Sequence, residues 1–229
     1  MNIILVSSTI TEIQETLDFL NKNGENESAS SHHFFYHGHT VSIVITGVGS
    51  PAAIFHLCNA IMPEKPDFAI QAGICGSFDT TIKLGTLFQI IQDTWGDLGV
   101  ELKNEKFENL FDIGLLEKND HPYVNGWLHA TTPAKFSTKF AQAKGITVNK
   151  VSGSLNSIQN ITEKYQADVE TMEGAAFLYV CSQLQIPNIQ IRAVSNYIEP
   201  RNKENWNIPL AISTLNTFLI EYLTTLIEK

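Results

Sequence analysis

The stretch Glu170-Thr-Met-Glu-Gly-Ala-Ala-Phe177, followed after one short helical segment by Ile191-Arg-Ala-Val-Ser-Asn196, sets an acidic helix start beside a strand that ends on an amide. In an open α/β sheet, a carboxylate at a helix N-terminus and a carboxamide at a strand's carboxyl end meet at one edge, where such folds bind small ligands. Outward from this pair, short apolar runs alternate with segments of helical period, the pattern of βα units around a mostly parallel sheet. Ile3 to Ser7 reads as a buried strand, and Ile10, Ile13, Leu17 and Leu20 recur at helical spacing until Gly24, a C-cap candidate. His32 to His39 leads through a turn at Gly38 into a strand over Val41 to Thr46. A helix follows over Ser50 to Met62, with strands over Asp67 to Gln71 and Gly85 to Gln92. Asp93 to Pro133 is loose and polar and reads as a long surface excursion rather than a second domain. Beyond it the pattern predicts a helix over Pro133 to Lys144, a strand over Ile146 to Ser152, a helix opening at Glu173, a strand over Asn188 to Ser195 and a terminal helix over Ile208 to Ile227.

Composition narrows the function classes. A chain of 229 residues with 43% hydrophobic content can bury one sizeable core, so a single domain over 1–229 is expected. No run approaches the roughly 18 apolar residues of a membrane span, and Met1 to Val6 lacks a basic leader, so a cytoplasmic location without membrane contact is expected. Cys58, Cys75 and Cys181 show no CxxC or His-spaced ligand pattern and read as small core residues rather than disulfides or a metal site. Net charge is −9, and no cluster of Lys and Arg offers a phosphate-tracking surface, so nucleic acid is not an expected partner. His32, His33, His37 and His39 have the residue type of metal ligands, but alternating histidines on an edge hairpin account for them without one, and no metal is expected.

Four constellations sit at predicted strand ends. Thr9-x-x-Glu12 fits a capping box, and the same place can aim a carboxylate at a ligand; the two roles are compatible. Thr46-Gly-Val-Gly-Ser-Pro-Ala52 meets the loose dinucleotide pattern G-x-G-x-x-A, but Asp67 precedes the next strand, whereas a ribose-binding acid belongs at that strand's far end; Gly47 and Gly49 are otherwise tight-turn residues. Gln71-Ala-Gly-Ile-Cys-Gly-Ser77 is a second glycine-rich strand exit, with backbone amides around Ala72 and Gly73 that could line a sugar or base. Between residues 1 and 82 the only cations are Lys22 and Lys65, so these loops offer little to a free phosphate. Glu173 and Asn196 complete the set. Singly, each has a structural explanation in the helix macrodipole or a turn; together they describe a pocket.

Glu12, Thr46-Gly-Val-Gly49, Gln71 to Ser77, Met172-Glu173-Gly-Ala-Ala176 and Arg192-Ala-Val-Ser-Asn196 fall in the order and approximate spacing of the nucleoside phosphorylase and nucleosidase superfamily, which the chain resembles over nearly its whole length. Within it, Glu170 to Ala176 with Arg192 to Trp206 most resembles the futalosine hydrolases. The resemblance implies a three-layer α/β fold with a mostly parallel or mixed central sheet flanked by helices, a homo-oligomer, and a nucleoside substrate hydrolysed without cofactor. Futalosine would yield hypoxanthine and dehypoxanthine futalosine, a step of menaquinone biosynthesis. It further implies that Glu12 activates water for attack at C1′, that Glu173 holds the ribose hydroxyls and that Met172 packs on the sugar.

The chain departs from the methylthioadenosine and adenosylhomocysteine nucleosidases at Asn196, where they carry a proton-donating aspartate. An amide offers only hydrogen bonds. Its NH2 can donate to O6 and its carbonyl can accept from a protonated N7, which suits hypoxanthine over adenine. A second departure is Ser152-Gly-Ser-Leu-Asn-Ser-Ile158, which lacks the aromatic that stacks on the purine in those enzymes; Leu155 or Ile158 is a candidate apolar wall. One residue more than in those enzymes lies between Val169 and Met172. Arg201 or Lys203 is a candidate partner for the substrate benzoate. The alternatives are a nucleosidase acting on methylthioadenosine, adenosylhomocysteine or aminodeoxyfutalosine, a catalytically silent nucleoside-binding protein, and a dinucleotide-dependent oxidoreductase.

Overall fold

A computed structural model describes residues 1–26, 32–103, 106–200 and 202–227. The strands are β1 (Asn2–Ser7), β2 (Glu25–Asn26), β3 (His33–Tyr36), β4 (His39–Ile45), β5 (Phe68–Ser77), β6 (Leu87–Asp93), β7 (Gly99–Glu101), β8 (Phe107–Asn109), β9 (Leu128–His129), β10 (Ala141–Thr147), β11 (Val169–Thr171) and β12 (Asn188–Tyr197). The α-helices are α1 (Gln14–Asn23), α2 (Ser50–Ile61), α3 (Leu155–Tyr165), α4 (Gly174–Gln183) and α5 (Ile208–Ile227).

The main sheet runs β11-β10-β6-β12-β5-β1-β4-β3-β2, with β9 added beside β6. It is mixed: β1 lies parallel to β4 and β5, and β12 parallel to β5 but antiparallel to β6. β11 also pairs antiparallel with β5, so β5, β12, β6, β10 and β11 close into a small ring at one end of the sheet.

Alternation along β1 explains the layers. Ile3 and Leu5 point to one face, where α1 (Leu17, Leu20) and α5 (Leu215, Leu219, Leu223) cover them; Ile4 and Val6 point to the other, beneath α2 (Leu57, Ile61) and α4 (Ala175, Leu178, Cys181). Each face is an apolar stripe of a helix laid on an apolar sheet face, the packing expected of an α/β fold.

The elements as far as α2 follow the sequence closely, but Gln71 to Ser77, read as a glycine-rich strand exit, is instead the second half of β5, held by β12 on one side and, at its two ends, by β1 and β11 on the other. The β3–β4 turn is built on His37 and Gly38, both at positive φ (47° and 81°), the backbone of a two-residue hairpin turn. The first helix opens with a 3-10 turn at Ile10–Ile13. Gly24 closes α1 with extended backbone, and a side chain there would meet Leu20 O at 2.9 Å. Two expectations after the excursion need correction. Pro133 to Lys144 is no helix: a 3-10 turn at Ala134–Phe136 gives way to β10, which replaces the strand expected over Ile146 to Ser152. β10 forms because β6 on one side and β11 on the other satisfy its backbone, a tertiary gain that overrides the weak strand preference of Ala141-Gln-Ala-Lys-Gly145. Helix α3, which no expectation covered, carries the two candidate wall residues Leu155 and Ile158, with Ser154 as its N-cap accepting from Ser157 N. The excursion is not wholly superficial either: Tyr123 and Leu128 are buried against the α2 and α4 layer.

Candidate active site

Glu12, Glu173 and Asn196 reach one cavity of about 390 Å³ at the carboxyl ends of β1, β5 and β12. Its walls are Ser8, Thr9 and Thr11 beside Glu12, Ile74 to Gly76 from β5, Glu170 to Glu173, Val151 to Gly153, Ser195 to Glu199, and Trp206, Ile208 and Ile212. Among the described residues, none from 93–133 lines it.

The two oxygens of Glu12 do different work. Oε2 closes the capping box, accepting from Thr9 N and Thr9 Oγ1 at 3.0 Å each, with Ser7 Oγ at 3.3 Å. Oε1 accepts from Ile74 N at 3.1 Å, across the β1–β5 boundary. The carboxylate is thus 7% exposed and fixed from two elements, while still lining the cavity. Asn216 of α5 secures the same turn from behind: its Nδ2 donates to Glu12 O, and its Oδ1 accepts from Thr16 N and Oγ1 at 2.7–2.9 Å.

Glu173 is the residue before α4 and is 4% exposed. Its Oε1 accepts from Gly49 N at 2.8 Å, and Gln71 Nε2 donates to its carbonyl. Gly49 sits at φ 92° as the N-cap of α2, a conformation that favours glycine, and Gly47 lies at φ 78° with its N–H given to Ser8 O. An amide that a dinucleotide loop would offer to pyrophosphate is therefore spent on a carboxylate. Asp67 lies at the other end of the sheet, where it accepts from Asn2 N. Neither fact fits dinucleotide binding.

Met172 and Asn196 line the cavity. Gly47 and Gly49 act through the loop just described. Ala72 is in the core, 1% exposed. Gly73 lies against the site from below: a Cβ there would stand 2.5 Å from Arg192 Nη1 and 3.0 Å from Glu12 Oε1. Leu155 does not line the cavity; it begins α3 and is 73% exposed. Arg201 lies outside the described residues, and Lys203 is exposed on a 3-10 turn. The aromatic rings at the cavity come from Tyr197 and Trp206. Sequence reasoning did not assign them, although Trp206 ends the very string that carries the family resemblance.

Asn196 owes its position to a bulge. β12 runs in register with β5 from Asn188↔Ala69 to Val194↔Cys75, then skips Ser195, so Asn196 pairs with Gly76. A bulge re-aims a side chain. Ser195 Oγ lies 3.1 Å from Cys75 O and 2.8 Å from Asn196 Oδ1, while Asn196 Nδ2 donates to Tyr197 O at 3.1 Å. The amide keeps one donor hydrogen and one lone pair for a ligand.

Beneath the site lies a buried polar layer. Arg192, 1% exposed, donates from Nε to Gln190 Oε1. Asp93 accepts from Thr147 Oγ1, which in turn accepts from Ala175 N at the start of α4. Burial pushes Asp93 up to about 7 against the opposing pull of Thr147, Arg192, Gln190 and Thr94. Cys75 at the cavity wall is pushed up to about 12 by burial, so its thiol stays protonated and is no nucleophile.

These features define a class. The chain belongs to the phosphorylase superfamily, whose family model matches residues 2–225. It is similar to the futalosine hydrolase of Thermus thermophilus, 26% identical over 175 residues that cover 74% of this chain and 75% of that one. It is also similar to the 5′-methylthioadenosine/S-adenosylhomocysteine nucleosidase of Colwellia psychrerythraea, 23% identical over 208 residues covering 86% and 83%. Among solved structures, the native futalosine hydrolase of Helicobacter pylori matches with a TM-score of 0.80 at 14% identity, over 98% of both chains. The methylthioadenosine/adenosylhomocysteine nucleosidase of the same organism, complexed with an amino-pyrrolopyrimidine compound, matches with a TM-score of 0.79 at 14% identity, again over 98% of both. This structural likeness is one of fold.

Proposed function

We propose that the protein is a nucleosidase that hydrolyses the N-glycosidic bond of futalosine, releasing hypoxanthine and dehypoxanthine futalosine in the futalosine route to menaquinone. The observation that carries the reading is the convergence of Glu12, Glu173 and Asn196 on one cavity with no Lys or Arg among its described lining residues. Two acids and an amide suit an oxocarbenium-like transition state attacked by water; a phosphorolytic site would be expected to present cationic donors to its anion. In this reading Glu12 is the base for water, and its double anchoring keeps Oε1 pointed across the β1–β5 seam. Glu173, held by the Gly49 amide, takes the ribose hydroxyls, and Met172 packs on the sugar. Gly47 and Gly49 shape the loop that orients Glu173, the β5 residues Ile74 to Gly76 form the floor, and Gly73 beneath them leaves room for the Glu12 carboxylate. Asn196 receives the departing base, donating to O6 and accepting from N7–H. Acid-base help of this kind is worth about 100- to 10,000-fold. Arg201, which follows β12 in the sequence, is assigned as the partner of the futalosine benzoate. No cofactor or metal enters the mechanism.

We further read residues 1–229 as one domain of a cytoplasmic homo-oligomer, with Phe55 on α2 and Met62 just beyond it, 61% and 76% exposed, offered as a contact surface; no helix among the described residues is long and apolar enough to cross a membrane. The test is incubation with futalosine, inosine and methylthioadenosine in phosphate-free buffer, with identification of the liberated base. Hypoxanthine from futalosine alone supports the reading. Adenine from methylthioadenosine would instead support the second reading, a nucleosidase of the kind named in the Colwellia relative.

A further inference from the structure

Beyond Glu12 and Glu173 the cavity is lined by two further carboxylates that the proposed mechanism does not use, Glu170 and Glu199, and Glu170 is the buried one. Glu170 of β11 is 6% exposed and lines the same wall as Asn196. Its place is fixed by register. Glu170 pairs with Gly76 on one side of β5, and Asn196 pairs with the same Gly76 on the other. Residues directly opposite across strands project from one face of a sheet, so Glu170, Gly76 and Asn196 form a single row. Because strands stand about 4.8 Å apart, the carboxylate and the amide originate about 10 Å from each other. The middle member carries no side chain, and the amide leans over it: a Cβ at Gly76 would lie only 3.1 Å from Asn196 Nδ2.

The chemistry of Glu170 is set by Ser152, whose N–H donates to Oε1 at 3.0 Å and whose Oγ donates to Oε2 at 2.6 Å. Burial and the charge of Asp97 raise the pKa of Glu170, and the two Ser152 donors oppose that rise. Both oxygens already serve as acceptors, each with a further lone pair, so what the group presents to the cavity is acceptor capacity. A carboxylate this buried favours a ligand that brings it a donor.

We infer that Glu170 is a specificity-determining residue that accepts a hydrogen bond from N1–H of a 6-oxopurine while Asn196 reads its O6 and N7. The inference rests on the reading of this cavity as a nucleoside site. In a 6-oxopurine N1 carries a hydrogen; in a 6-aminopurine N1 is a lone pair, which would face the carboxylate acceptor to acceptor. The two residues of the row thus select the same tautomeric edge independently, and the base preference does not rest on Asn196 alone.

The experiment measures binding of the free bases to the purified full chain by calorimetry, so it needs no turnover. For the wild type, hypoxanthine is expected to bind at least about tenfold more tightly than 1-methylhypoxanthine, in which the N1 hydrogen is replaced, since a hydrogen bond to a charged group is worth that much. In Glu170→Gln, hypoxanthine binding is expected to weaken at least tenfold while adenine binding stays within about threefold. Equal affinity of the wild type for hypoxanthine and 1-methylhypoxanthine overturns the inference, and this comparison stands even where the variant fails to fold. So does a Glu170→Gln variant that weakens both bases alike, the outcome expected if Glu170 merely braces Ser152. A wild type that binds no purine overturns the nucleoside reading and this inference together. Futalosine hydrolysis with unaltered base discrimination in the variant overturns this inference and leaves the proposed function standing.

Discussion

Replacing Gly73 by alanine places one methyl group where the site has no room for it. The added Cβ would stand 2.5 Å from Arg192 Nη1 and 3.0 Å from Glu12 Oε1. An ordinary carbon contact is about 3.5 Å, so the guanidinium must retreat by about 1 Å and the carboxylate by a few tenths. Neither can do so freely. Arg192 is fully buried, with Nε tied to Gln190, and Glu12 is held by Ile74 N and by the Thr9 capping box. Overpacking of this kind costs about 1–3 kcal/mol of stability. Turnover falls as well, but by less than the about 100-fold that a 1 Å misplacement of a reacting group costs, because the Glu12 carboxylate itself shifts only a few tenths of an ångström. Urea denaturation would read the first effect as a lower midpoint at unchanged slope, and base release under saturating substrate would read the second. Gly38→Ala is the control: φ there is 81° in the β3–β4 turn, with nothing within 4 Å of the added methyl, so it carries a backbone penalty without touching the site. It should lose about 1 kcal/mol and keep full activity. If Gly73→Ala turned over substrate like the wild type, or if Gly38→Ala lost as much activity, the reading that β5 packs directly against a catalytic Glu12 would be refuted.

Three further outcomes follow from the same geometry. Glu12→Gln should bind substrate nearly as well as the wild type but hydrolyse it about 100- to 10,000-fold more slowly; a fully active variant would remove Glu12 from the mechanism. Asn196→Asp should shift preference toward 6-aminopurine nucleosides, measured as the ratio of kcat/KM for the two base types, and an unchanged ratio would show that the amide does not read the base. Asp93 has a folded pKa of about 7 against an ordinary value of 3.8, so the native state holds its proton more tightly than the unfolded chain does. Stability from this group is fully present below about pH 4 and lost as pH rises through 7, by up to roughly 4 kcal/mol. Denaturation midpoints measured from pH 4 to 8 should therefore fall less steeply in Asp93→Asn than in the wild type; parallel curves would show that Asp93 is not the group responsible.

Where local pattern and tertiary demand agreed, the sequence was legible. β1 declares itself by a run of apolar residues buried on both faces, and α5 by apolar residues at 211, 215, 219, 223 and 226 that all pack inward. β10 does not, because Ala, Gln, Lys and Gly are poor strand formers and only its two neighbours make it a strand. The three-residue β11 is too short for any periodicity to mark, yet its pairing with β5 closes the ring and brings Glu170 to the cavity. α3 carries a signal, with Ile158, Ile161 and Tyr165 at helical spacing after the cap residue Ser154, yet no helix was expected there.

The candidate site divides along the same line. Glu12, Glu173 and the Gly47–Gly49 loop sit at element boundaries that sequence can mark, because caps and turns demand particular residues. Asn196 is different. A regular strand continuing past Val194↔Cys75 would set Ser195 opposite Gly76 and carry Asn196 one step on, opposite Ser77, with its side chain on the other face of the sheet. One unpaired residue reverses that outcome, and nothing in Arg192-Ala-Val-Ser-Asn196 announces it. The bulge also accounts for the hydroxyl beside the amide: Ser195, freed from the ladder, lies within reach of both Cys75 O and Asn196 Oδ1, and so ties the bulge to the amide it re-aims. The residue proposed to distinguish 6-oxo from 6-amino bases therefore takes its identity from sequence and its orientation from a single irregularity in β12. On the proposed function, a substitution that restored regular pairing would abolish base discrimination without altering Asn196 at all.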